Sequence, residues 1–409
     1  MSSEAFWRVK RPVSPLLTKQ PFKGLYLLVV IAGAVIRIPY WVITSAVPAL
    51  RPRKKWPFSR ALMVQVMAYL FPELFKTLAW PVEETEPKEV DPEQGFVWVE
   101  PTPEFVVGEI KEAATINGVQ PARIVGYMQY RKGEERRADE KAMSGEKVMY
   151  YLHGGGYFVS LSIDRQRNRT HGLVLQQVAR RVLCVLSHLP GQLPLATSDP
   201  LPRKNNFPAA LLDAIAGYNY LVNVLGFEPR NVLFNGESVG GHLHINLVRY
   251  LVQQQFQTLP PPGSLILLSP VVDWGGSHIG AHYWEANAHT DIVNSFYYGY
   301  PTRCQLGALP VEWAELSPWI SPGSLKLAEP RGLFKGFPPT YMVTSDAECT
   351  LDAMQTFRDR IREDLGDDRF RYLEVPDALH AFPIMSFHTP ENIETIRKMV
   401  EWAEKILAE

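Results

Sequence analysis

Hydrophobic residues are arranged in two different ways on either side of about residue 95. Before it, residues 24–50 form one apolar block, GLYLLVVIAGAVIRIPYWVITSAVPAL, in which Arg37 is the one charge. A helix needs roughly 20 apolar residues to cross a bilayer. This block reaches that length only with Arg37 and Pro39 inside it, and a central Arg costs roughly 2.5–3.5 kcal/mol, which the surrounding Leu, Val, Ile and Trp can offset. Basic residues flank it on both sides, Lys19 and Lys23 before and Arg51, Arg53, Lys54 and Lys55 after, so charge sets no orientation. The expected organisation is a basic tail over 1–23, a membrane-anchor or cap segment over 24–50, a linker or cap over 51–94 and a large α/β domain over 95–409. A soluble apolar helix pair capping a lipophilic pocket and a cleaved signal peptide are the competing readings of 24–50.

Beyond residue 95 short apolar runs alternate with helical periodicity. FVWVE (96–100) and ARIVGYMQY (122–130) come first. KVMYYLH (147–153), VLCVLSH (182–188), NVLFNG (231–236), LILLSPVV (265–272), PTYMVTS (339–345) and RYLEV (371–375) follow. Amphipathic stretches stand between them at 170–181, 207–225, 240–255 and 351–365, with a last one at 390–408. Near-continuous apolar strands separated by helices predict a mostly parallel sheet covered on both faces, the α/β class. In such sheets, functional residues collect in loops beyond the carboxyl ends of the strands.

Composition narrows this picture by exclusion. The formal net charge is −1 over 409 residues and the pI is about 6.8, with no basic block interleaved with aromatics, so no nucleic-acid partner is expected. Three scattered cysteines, Cys184, Cys304 and Cys349, suggest neither a disulfide framework nor a zinc site. The charged run 131–141 reads as a solvated loop. His242 and His244 project in different directions from one helix, against a shared metal. The His-containing segment 278–291 reads as lid or loop.

The candidate chemistry falls in the strand-end loops. Gly236-Glu237-Ser238-Val239-Gly240 lies between a strand and a helix. Glycines two residues either side of a serine relieve a crowded turn that exposes the serine Oγ and aims the next N–H at a developing oxyanion. HGGG at 153–156 follows another strand, and its N–H groups suit an oxyanion, each donor being worth ~10²–10³ in rate. His153 is read as support for that loop, with Gly154. His380, after the last strand, stands where a Ser-acid-His order places the general base. The loop 344–354 offers Asp346, Glu348 and Asp352 as the acid, and spacing does not choose among them.

Together these motifs resemble the hormone-sensitive-lipase family of α/β-hydrolases, within it the arylacetamide deacetylases and fungal steryl acetyl hydrolases. The likeness covers roughly 95–409: HGGG at 153–156, GESVGG at 236–241, FPAALLDA at 207–214, SPVVD at 269–273, SPWISP at 317–322 and HAF at 380–382. It implies an α/β-hydrolase fold and hydrolysis of a lipophilic, short-acyl ester, with no metal or organic cofactor. Ser238 would be the nucleophile, His380 the base and Glu348 the acid, four residues before Asp352, with Asp346 as fallback. Gly155, Gly156 and Val239 would donate the oxyanion hole. The membrane-bound relatives imply an endoplasmic-reticulum membrane, a soluble cytoplasmic protein being the alternative. GESVGG departs from the commoner GDSAGG, and the loop 189–206 is longer and richer in proline than is usual. A lipase or lysophospholipase for longer chains, or a non-catalytic ligand-binding protein on the same fold, are the rival functions.

Overall fold

The computed structural model describes residues 16–77, 90–134, 136–157, 177–185, 205–293 and 299–408. An eight-stranded sheet runs through it. The strands are β1 (Phe96–Val99), β2 (Ile124–Tyr130), β3 (Val148–Leu152), β4 (Arg181–Val185), β5 (Val232–Glu237), β6 (Ser264–Leu268), β7 (Thr340–Ser345) and β8 (Phe370–Val375). Their spatial order is β1-β2-β4-β3-β5-β6-β7-β8. β1 and β2 pair antiparallel, β2 joins β4 antiparallel, and every pairing from β4 to β8 is parallel. The expected fold class is the one observed. β3, β4, β5, β6 and β7 are buried along their whole length, which is why they read as unbroken apolar runs.

Helices cover both faces. α3 (Gly108–Asn117), α4 (Ala209–Asn219) and α5 (Val239–Gln254) come before the short α6 (His282–Ala286), α7 (Tyr300–Leu306) and α8 (Trp313–Leu316); α9 (Leu351–Leu365) and α10 (Glu391–Ile406) follow. Helices α4, α5 and α9 enclose one apolar core with the sheet, and α10 encloses a smaller one on the other side. A third cluster joins Trp56, Ala61 and Val64, from the N-terminal region, to Ile292, Ala347 and Leu379.

Two further helices precede the sheet, α1 (Phe22–Ala46) and α2 (Phe58–Thr77). They pack on each other through the Trp41 and Tyr69 rings, 5.5 Å apart. Thr44 Oγ1 donates to Gln65 Oε1 at 3.0 Å and Gln65 Nε2 to Ser45 Oγ at 2.9 Å. Most of the remaining surface of α1 is apolar and exposed.

The stretch 51–94, expected as a linker or cap, holds the twenty-residue α2. Several other expectations need correction. The predicted strand at 265–272 stops at Leu268, because Ser269 takes a positive φ of 43° and turns the chain. The helix expected at 170–181 lies mostly outside the described residues, and its last residue, Arg181, instead opens β4. Residues 186–188 of the expected strand also lie outside them. α3 was not expected. The run 131–141 is not simply solvated: Arg136 donates to Glu146 Oε1 at 3.0 Å, and the carbonyls of Glu140 and Lys141 accept from Arg181. Arg181 and Glu146 form a buried pair at 2.9 Å; this run supplies three of its further hydrogen bonds, and Met143 N–H donates another to Glu146 Oε2 at 2.9 Å. Within 278–291, His278 is tied to Asp273 at 2.9 Å and α6 follows.

Candidate active site

The site stands where β3, β5, β7 and β8 end. β5 runs directly into α5 through Ser238, whose φ of 55° and ψ of −120° lie where a non-glycine residue is strained by roughly 1–3 kcal/mol. Backbone bonds fix the turn: Ser238 N–H donates to Leu268 O at 2.8 Å, and Ser238 O accepts from Val271 N–H at 3.2 Å. The chain comes too close to itself here for side chains. A Cβ on Gly236 would lie 2.6 Å from the backbone of Gly240, and one on Gly240 would lie 2.0 Å from Leu152 O. These two contacts are the physical reason for glycine at both ends of the motif. Ser238 stays half-buried while Val239 behind it is buried.

The HGGG loop lies against this turn. A Cβ on Gly154 would sit 3.3 Å from Ser238 Cβ. Gly155 and Gly156 are half-buried. His153 Nδ1–H donates to Gly154 O at 2.6 Å, and burial lowers the ring's pKa, so it serves as a neutral support. Glu237, in the middle of the glycine-rich motif, clamps loop and turn together. Its Oε1 accepts from Gly154 N–H at 2.9 Å and its Oε2 from the Tyr151 hydroxyl. Burial raises the Glu237 pKa, while those two donors favour its charge.

After β7, Glu348 is fully buried and its carboxylate is saturated. Oε1 accepts from the Ser269 hydroxyl at 2.8 Å, the Ser345 hydroxyl at 2.7 Å and Ser345 N–H at 2.9 Å. Oε2 accepts from His380 Nδ1 at 2.7 Å. Burial opposes a charged His380 ring. The Glu348 hydrogen bond and the charges of Glu348, Asp291 and Glu237 outweigh it and raise the pKa above its ordinary value. Ser269 Oγ also accepts from Ala381 N–H at 3.0 Å, tying the histidine's loop to β6.

Of the three carboxylates in the loop 344–354, the structure brings Glu348 to His380. Asp346 turns the other way, to Arg53 at 3.0 Å and to Asp377 N–H at 2.6 Å. Asp352 accepts from Tyr283 N–H at 2.8 Å. His242 Nδ1 pairs with the Tyr157 hydroxyl at 2.9 Å, and His244 Nε2 with Asn235 O at 3.1 Å. Their partners lie on separate elements, and burial pushes the two rings down to about 4 and about 3. Sequence reasoning did not find Ser269, Ser345 or Asp291 as site residues. Asp291 is buried, accepts from Cys349 N–H at 2.7 Å and from Val293 N–H at 2.9 Å, and is pushed up to about 6 by burial. Ser269 had a signal, the SPVVD motif; Asp291 had none.

The arrangement is a buried carboxylate–imidazole pair near a strained serine turn that a glycine loop packs against, and such a pair suits the removal of a hydroxyl proton. The family described as the alpha/beta hydrolase fold matches residues 149–384. An esterase from Acinetobacter venetianus is 24% identical over 288 residues, 70% of this chain and 82% of its own length. Among solved structures, the esterase EstE5 soaked with p-nitrophenyl butyrate superposes with a TM-score of 0.50 at 24% identity, over 70% of this chain and 82% of that one. A hormone-sensitive lipase from a metagenome library gives 0.51 at 20% identity, over 69% and 82%.

Proposed function

Because the chain belongs to the alpha/beta hydrolase fold family, we propose that it is a serine carboxylic-ester hydrolase acting on a lipophilic ester with a short acyl group. The observation that carries this is the 2.7 Å bond from His380 Nδ1 to the buried Glu348, on loops neighbouring the Ser238 turn. Ser238 Oγ attacks the ester carbonyl while His380 Nε2 takes its proton. Glu348 holds Nδ1–H and stabilises the imidazolium. The N–H groups of Gly155, Gly156 and Val239 hold the oxyanion; the Val239 N–H also opens α5, whose dipole favours negative charge there. His380 returns the proton to the leaving alcohol. A water deprotonated by His380 then cleaves the acyl-enzyme. No step calls for a metal or an organic cofactor.

The lipophilic side of the proposal rests on α1, which is long and apolar enough to cross a membrane and is buried over only 17% of its most apolar window. We read it as the element that associates with a bilayer. The short-acyl side draws support from EstE5, which was soaked with a butyryl ester. The test is turnover of p-nitrophenyl acetate, butyrate and palmitate beside Ser238→Ala and His380→Ala. We expect the two short esters to turn over, and Ser238→Ala to lose on the order of 10⁴ to 10⁶ in kcat. An active Ser238→Ala sinks the mechanism; faster turnover of palmitate than of butyrate sinks the chain-length reading.

A further inference from the structure

We propose that Arg53 is a positioning residue for this reaction, a cation that pins together the loop carrying Glu348 and the loop carrying His380. The inference rests on the Ser238–Glu348–His380 reading above. Arg53 lies in the connector between α1 and α2, far from the family motifs.

The connector is itself held in place. Arg51 closes the end of α1, donating from Nε to Ser45 O at 2.7 Å and from Nη1 to Trp56 O at 2.7 Å, which satisfies a carbonyl left free at a helix C-terminus. From that base Arg53 reaches across the molecule. Its Nη1 donates to Asp346 Oδ1 at 3.0 Å and to Asp377 Oδ1 at 3.2 Å. Its Nη2 donates to Asp346 O at 2.5 Å and to Asn287 Oδ1 at 2.7 Å. Asp346 lies two residues before Glu348, and Asp377 three residues before His380. Asn287 Nδ2 continues the network to the backbone, donating to Asp346 O at 2.9 Å and Glu348 O at 3.0 Å. Trp56 Nε1 donates to Asp377 O at 2.6 Å. The third apolar cluster repeats the pairing: Trp56, Ala61 and Val64 pack with Ala347 and Leu379, the immediate neighbours of the acid and the base.

Glu348 and His380 sit on separate loops, and their hydrogen bond is only as constant as the distance between those loops. Asp346 and Asp377 bring two carboxylates to the same place, with 27% and 22% of their side chains exposed. A cation between them offsets their repulsion and draws the loops together; without it they repel. The fork geometry matters, because a guanidinium reaches several acceptors at fixed angles and an ammonium is a point charge. Lys55, at 3.9 Å from Asp377 and 84% exposed, is a solvated point charge without that fork. A misplacement of about 1 Å in a catalytic group can cost ~10²-fold in rate. The N-terminal region is therefore more than an anchor: it forms the outer wall that sets the acid and base.

The test uses the full chain and p-nitrophenyl butyrate, with Ser238→Ala as reference. For Arg53→Ala we expect kcat to fall about 10- to 100-fold with KM within about twofold, and fluorophosphonate labelling of Ser238 to slow by the same factor. Adding Asp346→Asn and Asp377→Asn removes the repulsion and is expected to recover part of the lost kcat, which a merely structural role would not produce. A kcat within twofold of wild type in Arg53→Ala, with Ser238→Ala inactive, overturns the positioning role alone. An active Ser238→Ala overturns the reading beneath it. If Arg53→Ala does not fold, Arg53→Lys carries the test: a lowered kcat at unchanged KM is expected, and a wild-type kcat overturns the proposal.

Discussion

Helix α1 is mostly apolar, with Lys23, Arg37, Thr44 and Ser45 as its charged and hydroxyl exceptions beside two tyrosines, and it is exposed: Leu28 and Ile36 stand 64% and 77% open, and only Val30, Trp41, Thr44 and Ser45 are buried. Helix α5 carries two histidines, an asparagine and an arginine, and every residue from Val239 to Leu251 is buried. Burial here follows position and not composition. α5 leaves the central strand β5 and must run beneath the sheet, so several of its polar atoms are met by partners inside: Tyr157 for His242 Nδ1, Asn235 O for His244 Nε2 and Trp319 O for Asn246 Nδ2, while Arg249 lies over the Trp319 ring at 4.9 Å. Among the described residues α1 has α2 against one side, and its other side is exposed. A helix that satisfies its own backbone and presents apolar side chains outward is at ease in hydrocarbon, and that contrast supports the proposed bilayer role of α1.

The comparison is most severely tested at the start of α5. Gly240→Ala would put a methyl 2.0 Å from Leu152 O, so the serine turn and the HGGG loop could not both keep their places. Turnover of p-nitrophenyl butyrate should fall by at least ~10²–10³, the worth of an oxyanion donor. Turnover within tenfold of wild type would mean the two loops move independently.

A paired substitution separates the helices by stability. Leu247→Ala removes a fully buried side chain of α5 and should cost about 2–5 kcal/mol in denaturant unfolding. Ile36→Ala, on the outer side of α1, should change it by less than about 0.5 kcal/mol, while weakening co-sedimentation with phosphatidylcholine vesicles. Equal losses at the two sites would erase the distinction and point to a covered α1.

The smallest effect is in pH. His242 and His244 on α5 titrate at about 4 and about 3 when folded, below the ~6.5 of an unfolded histidine. As pH falls through 6.5 the unfolded chain takes up these protons first, so the stability present above that pH is lost toward pH 4. Between pH 7 and pH 6 the pair should cost about 1 kcal/mol. Because His380, Asp291, His153 and His388 are shifted as well, the measure is the difference in the pH slope of Tm between wild type and His242→Gln/His244→Gln; no difference would show that the two rings are not held neutral.

The legible parts of the chain were those with a local cause. Strands buried on both faces read as apolar runs, α9 matches its expected span at 351–365, and Gly154, Gly236 and Gly240 marked backbone approaching backbone. α3 was missed because its buried positions, Ile110, Ala113 and Ala114, make a weak stripe of mostly small residues. The role of 131–141 was missed because a charge run looks solvated until its buried partners, Glu146 and Arg181, are placed beside it. Position 237 was seen as a motif variation, but a carboxylate reaching Gly154 N–H requires β3 to lie next to β5.

By itself the sequence determined the α/β class, the order of the strands along the chain, the turn that exposes Ser238 and the apolar helix near the N-terminus, since each follows from the spacing of a few neighbouring residues. Which carboxylate of the loop 344–354 meets His380, which residues hold that pair, and that the polar-bearing α5 is covered while the apolar α1 is not were decided only in three dimensions. Those outcomes depend on β7 lying beside β8 and on Arg53 reaching residues almost three hundred positions away, and hydrogen bonds and charges act over distances in space.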